Sequence, residues 1–73
     1  MKVRFIEECS QDTILMETEN FEGLSAVFAE YTQIQITKEK EMLFCDYNYN
    51  VLKVLENEID IYVTIDDTTK IED

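Results

Sequence analysis

From Glu58 to Asp66 the chain alternates apolar and polar residues without a break. Ile59, Ile61, Val63 and Ile65 fall on one side of an extended backbone, and Glu58, Asp60, Tyr62, Thr64 and Asp66 on the other. A period of two marks a β-strand with one dry and one wet face, and these four β-branched residues need a core to cover them. The chain has 73 residues in which to build it, the length of one domain. Apolar residues make up 45% of the chain, with four Phe and four Tyr among them, enough for a single core. At this size folding withdraws only roughly 60% of the surface that the unfolded chain exposes. Such a core rarely supplies more than about 3–5 kcal/mol.

The same periodicities place the other elements. Residues 2–8 read as a strand, Cys9-Ser10-Gln11-Asp12 as a polar turn, and residues 13–18 as a second strand, together an antiparallel hairpin. Asn20 is a helix N-cap by residue type, with Glu22 in the first turn where the helix dipole favours an acid. Phe21, Leu24, Val27, Phe28 and Tyr31 then recur at spacings of three and four, which predicts the main helix. Residues 33–37 alternate, with Ile34 and Ile36 on one face; Lys38-Glu39-Lys40-Glu41 is a charged turn, and residues 42–49 form a further strand. Residues 50–57 admit two readings, a short helix capped by Asn50 or a strand turning at Glu56-Asn57, with the short helix preferred. The chain has no proline, one glycine, no linker and no internal repeat.

The expected fold class is therefore α+β: one main helix packed on a four- to five-stranded mixed or antiparallel sheet, in the order ββαββ(α)β. Residues 1–66 form the domain and residues 67–73 a flexible acidic tail. In element order and length this resembles the β-grasp arrangement of ubiquitin-like and immunoglobulin-binding domains. The terminal Gly-Gly of conjugated ubiquitin-like proteins is absent, so conjugation is not implied.

Charge narrows function more than fold. Seventeen acidic residues against six basic ones give a formal charge of −11, where a soluble domain of this size needs a magnitude of only about 2–8. Such a surface repels nucleic acid and anionic membranes and attracts basic proteins. Lys2, Arg4, Lys38, Lys40, Lys53 and Lys70 are scattered and form no phosphate-binding patch, so direct nucleic-acid binding is not expected. The first residues carry no apolar h-region, and no apolar run approaches the ~20 residues that span a bilayer. The expected location is the cytoplasm, with Cys9 and Cys45 as reduced thiols.

Catalytic constellations are sparse. With no histidine, Ser10, Ser25, Cys9 and Cys45 lack the imidazole that nucleophilic catalysis uses. Cys9 follows Glu7 and Glu8, which oppose thiolate formation. Two cysteines outside a C-x-x-C pair make no zinc site. Asp46-Tyr47-Asn48-Tyr49-Asn50 opens like a calcium loop, yet Val51 stands where the loop needs glycine and Asn57 where it needs a bidentate glutamate. Gly23 is alone, so no glycine-rich phosphate loop exists. No cofactor, metal site or enzymatic activity is expected.

What remains is a partner-binding surface. Glu58 and Asp60, two apart on a strand, share a face at roughly 6.8 Å spacing, with Asp66 further along and Tyr62 between them. Glu17 and Glu19 form a second such pair. Carboxylates at this spacing can occupy the surface with which a protein holds DNA phosphates, and tyrosine supplies contact area with a polar tip. In size and charge the chain resembles the small acidic inhibitors that phages and mobile elements direct at host DNA-handling enzymes. The expected function is an inhibitor or regulator occupying a basic surface of a partner protein, a nucleic-acid-binding enzyme being one candidate. The alternative is an accessory subunit, interaction module or homodimer held by an apolar and tyrosine surface, with the acidity serving solubility.

Overall fold

The computed structural model describes residues 1–9 and 13–71. Its strands are β1 (Lys2–Glu7), β2 (Thr13–Glu19), β3 (Ile34–Lys38), β4 (Glu41–Lys53) and β5 (Glu58–Lys70), with one helix, α1 (Leu24–Val27), between β2 and β3. They form one mixed sheet in the order β2-β1-β5-β4-β3. The central pair β1 and β5 runs parallel, and the remaining pairs are antiparallel. The sheet curls until its two edges, β2 and β3, approach one another. Val3, Phe5, Ile34, Ile36, Leu43, Cys45, Ile59, Ile61 and Val63 cover its concave face and form the core with Leu15 and Val27. Ile61 and Val63, whose alternation announced the strand, are fully buried; a side chain of this kind contributes about 1.5–3 kcal/mol when fully withdrawn from water.

The predicted main helix is the principal correction. Only the four residues of α1 are helical. Asn20 does not cap it: its backbone is left-handed, at φ 53°, and Gly23 occupies the N-cap without a side-chain hydrogen bond. After Val27 the chain continues in tight turns, Ala29 N–H donating to Ala26 O and Thr32 N–H to Ala29 O. Tyr31, at φ 65°, ends the run. A helix this short draws its stability from tertiary contacts rather than from propensity. The apolar stripe still packs in part: Phe21 meets Phe5 edge-on at 5.8 Å, Phe28 meets Tyr47 at 5.4 Å, and Val27 is buried. Tyr31 is fully exposed. The architecture is mostly β, and the helix that the β-grasp likeness implied is absent among the described residues.

Residues 50–57 are not a helix. β4 continues to Lys53, paired with Glu58, and residues 54–57 turn the chain, with Asn57 N–H donating to Val54 O at 3.3 Å. Asn57 stands at φ 57°, a conformation asparagine tolerates better than most residues. Residues 67–70, expected in a tail, belong to β5 and pair with residues 41–44 of β4. Ile71 N–H donates to Lys40 O at 2.8 Å. Residues 72–73 of that tail and residues 10–12 of the first predicted turn lie outside the described residues. The charged turn is present, reduced to Glu39 and Lys40 between the paired Lys38 and Glu41. No helix among the described residues is long and apolar enough to cross a membrane.

Candidate functional site

The convex face of the sheet carries most of the residues that the sequence singles out, arranged in rows across four strands. In the first row Glu19 of β2 lies beside Lys2 of β1, then Glu58 of β5 and Lys53 of β4; in the second, Glu17 lies beside Arg4, Asp60 and Val51. The sign of charge alternates across all four strands in the first row and across β2, β1 and β5 in the second. Cross-strand pairs of opposite charge are the arrangement that a sheet favours.

These rows close into one ion-pair ladder. Arg4 grips Glu58 with two hydrogen bonds, Nη1 to Oε2 at 2.7 Å and Nη2 to Oε1 at 3.3 Å. Its Nη1 also lies 3.5 Å from Asp60 Oδ1, and Lys53 Nζ lies 2.9 Å from Asp60 Oδ2. Lys2 Nζ binds Glu17 at 3.0 Å and stands 3.9 Å from Glu58. The shifts follow the contacts. Hydrogen bonding to Glu17, Glu58 and Asp60 raises Lys2, Arg4 and Lys53 respectively above their ordinary values. The hydrogen bond from Lys2 holds Glu17 below the usual carboxylate range. Asp60 is only 3% exposed and is the one buried charged residue among those described. Burying a carboxylate is tolerated where cations and hydrogen bonds compensate it, as here.

The next row is apolar: Ile14 of β2, Ile6 of β1, Tyr62 of β5 and Tyr49 of β4. The two tyrosine rings stack at 4.6 Å with an interplanar angle of 10°. Ile6 is buried, while Ile14, Tyr49 and the neighbouring Val51 are exposed. Beyond this stripe Asn48 Nδ2 donates to Glu8 Oε2 at 2.7 Å and to Thr64 Oγ1 at 2.8 Å. An apolar and aromatic stripe is thus bordered by a charge ladder on one side and a polar cluster on the other.

Glu58, Asp60, Tyr62 and Glu17 are therefore brought together, with Glu19 at the margin opposite Lys2. The three acids of the ladder are paired with Lys2, Arg4 and Lys53; Glu58 and Asp60 are largely covered, while Glu17 remains partly open to solvent. Asp66 is not part of this group. It is the extra residue of a β-bulge, passed over between the pairs Cys45–Ile65 and Phe44–Asp67, and it is exposed. Sequence reasoning missed Tyr49 as the partner of Tyr62, and Lys2 and Arg4 as the counter-charges. A signal for the latter was present, since Lys2 and Arg4 have the same two-residue spacing as Glu58 and Asp60 with the opposite sign.

Cys45 is fully buried and burial, aided by the charges of Glu7 and Asp46, pushes its thiol up to about 11. That makes it a core residue and not a nucleophile. Among the described residues no three Cys, Asp or Glu side chains gather as metal ligands would. No protein-family model matches the chain, and comparison with curated proteins and with solved structures finds no similar one.

Proposed function

We propose that this chain is a non-enzymatic acidic protein that binds a partner protein as an inhibitor or regulator, presenting the Tyr49–Tyr62 stripe to a basic surface. The observation that carries the reading is the stacked tyrosine pair, Tyr49 exposed and Tyr62 half-buried, flanked by the exposed Ile14 and Val51 on a sheet face. Tyrosine at the centre of an apolar patch with a polar rim is the composition of an interface anchor.

The net charge plays a separate part. Removing the three acids and three bases of the ladder from the seventeen and six leaves fourteen acids against three lysines. Those remaining carboxylates, distributed over the rest of the chain, steer the molecule toward a basic surface and set its rate of encounter. Glu17, Glu58 and Asp60 are neutralised internally and contribute little to that field. A nucleic-acid-binding surface is one candidate target, and DNA is the competitor that tests it.

A second reading is favoured by the β4–β5 hairpin tip, where Val54 is 80% and Leu55 92% exposed. An interaction module anchored there binds through apolar contact. Two copies of a chain charged at −11 repel one another, which disfavours a homodimer.

The test is affinity capture from a lysate on immobilised protein, eluted in salt steps with and without added DNA. A partner released at moderate salt by wild type and not retained by Tyr49→Ser supports the proposal. Displacement by DNA specifies a nucleic-acid-binding target. A partner that survives high salt, ignores Tyr49→Ser and is lost with Leu55→Ser overturns it in favour of the hairpin tip.

A further inference from the structure

On the concave face, opposite the tyrosine stripe, a cleft of about 520 Å³ lies between the two sheet edges. Met16 of β2, Ile34 and Ile36 of β3, Phe5 of β1, and Phe21 and Val27 from the β2–β3 connection supply its apolar surface. The rest of the lining is threonine, glutamine, glycine and alanine. Among the described residues no charged side chain lines it, in a chain of which 32% is charged. The cleft exists because β2 and β3 approach without pairing: their order in the sheet puts them at opposite edges. The single turn of α1 is too short to fill the space that a longer helix would occupy.

We propose that this cleft is a binding site for a small, neutral, apolar molecule. Its volume lies within the range of about 300–1,000 Å³ typical of ligand pockets, and its composition, apolar walls with a few neutral hydrogen-bonding groups, is that of such pockets. Charge selects the class of ligand. No lysine or arginine is present to hold an anionic head group, and the field of a molecule at −11 repels one. Among the described residues no carboxylate lines the cleft to hold a cation either. Thr18 and Thr32 line the cleft, and their hydroxyls can orient a neutral polar substituent. Gln35 and Thr37 alternate with the buried Ile34 and Ile36, and the Gln35 amide is engaged with Met42 Sδ at 3.0 Å. This site is independent of the tyrosine stripe and of any protein partner.

The test compares two dyes of similar size on the purified full chain. The neutral probe N-phenylnaphthylamine is expected to bind with enhanced fluorescence and to raise the melting temperature, as any ligand of the native state does. The anionic probe anilinonaphthalene sulfonate is expected to bind far more weakly. Ala26→Phe places a ring at the cleft and should reduce N-phenylnaphthylamine affinity about tenfold or more, the effect of roughly 1.4 kcal/mol of lost contact. Leu55→Ser, at the distant hairpin tip, should leave it unchanged. Absence of stabilisation by the neutral dye would overturn the proposal. So would equal binding of both dyes, or binding lost with Leu55→Ser and retained in a folded Ala26→Phe variant.

Discussion

Asp60 and Asp66 lie six residues apart on one strand, and both read from the sequence as wet-face acids, yet they have opposite surroundings. Asp60 is closed between Lys53 at 2.9 Å and Arg4 at 3.5 Å, whereas Asp66 is exposed at a bulge. Asp60→Asn keeps the shape and removes the charge, leaving two cations around a neutral amide. It is expected to cost about 1.5–3 kcal/mol, the range for hydrogen bonds to charged groups, read by urea unfolding. Asp66→Asn should stay within about 0.5 kcal/mol of wild type, as surface changes usually do. Glu17 gives a pH signature. Its folded pKa is lowered by Lys2 from the ordinary value of 4.5, so the stability it contributes is complete above that value and is lost as the pH falls through the folded one. The stability difference between wild type and Glu17→Gln should therefore be constant above about pH 5 and close on further acidification. Relief of general repulsion by acid acts on both chains alike, so that difference, measured in urea at each pH, is the quantity to follow.

At the scale of elements, strands were legible wherever alternation met one buried face. β5 and β3 declare themselves through Ile59, Ile61 and Val63 and through Ile34 and Ile36. The convex-face grouping of Glu58, Asp60 and Tyr62 follows from the same period. The helix was not legible, because a three-and-four spacing of apolar residues is equally served by a turn-rich loop that drops Phe21, Val27 and Phe28 onto the core face. Bulges were not legible either. Tyr47 and Tyr49, two apart, should share a face; the extra residue Asn48 sets Tyr47 beside Val63 and Tyr49 beside Tyr62 on opposite sides of the sheet. The stack that forms the candidate site depends on that one insertion. Turn geometry provides a prediction at this scale. Glu39 holds φ 57° in the β3–β4 hairpin, where a side chain is strained and glycine is not. Glu39→Gly should raise stability by up to about 1 kcal/mol, the relief of strain exceeding the entropy glycine adds to the unfolded chain. Thermal unfolding checks the sign.

For the molecule as a whole, a mixed sheet with a small core carries a net charge of −11, with half of its six cations engaged in one ladder. Repulsion among the remaining carboxylates acts over a Debye length that shrinks from about 30 Å at 0.01 M salt to roughly 8 Å at 0.15 M. Added sodium chloride is therefore expected to raise the melting temperature, since the screened repulsion outweighs the weakening of partly exposed ion pairs. A fall with salt would mean that the ladder dominates the electrostatics. The same separation of roles underlies the proposed function, in which distributed carboxylates steer and the tyrosine stripe makes contact. Its most direct test is the affinity of the captured partner for wild type, Tyr49→Ser and Asp60→Asn, each verified as folded, over a series of salt concentrations. The account predicts that Tyr49→Ser weakens binding about tenfold or more at every salt concentration, the scale of an interface anchor. It predicts for Asp60→Asn an affinity within about twofold of wild type, because that charge is already neutralised within the sheet. Binding unaffected by Tyr49→Ser and abolished by Asp60→Asn would contradict it, and would return the interface to the acidic row itself.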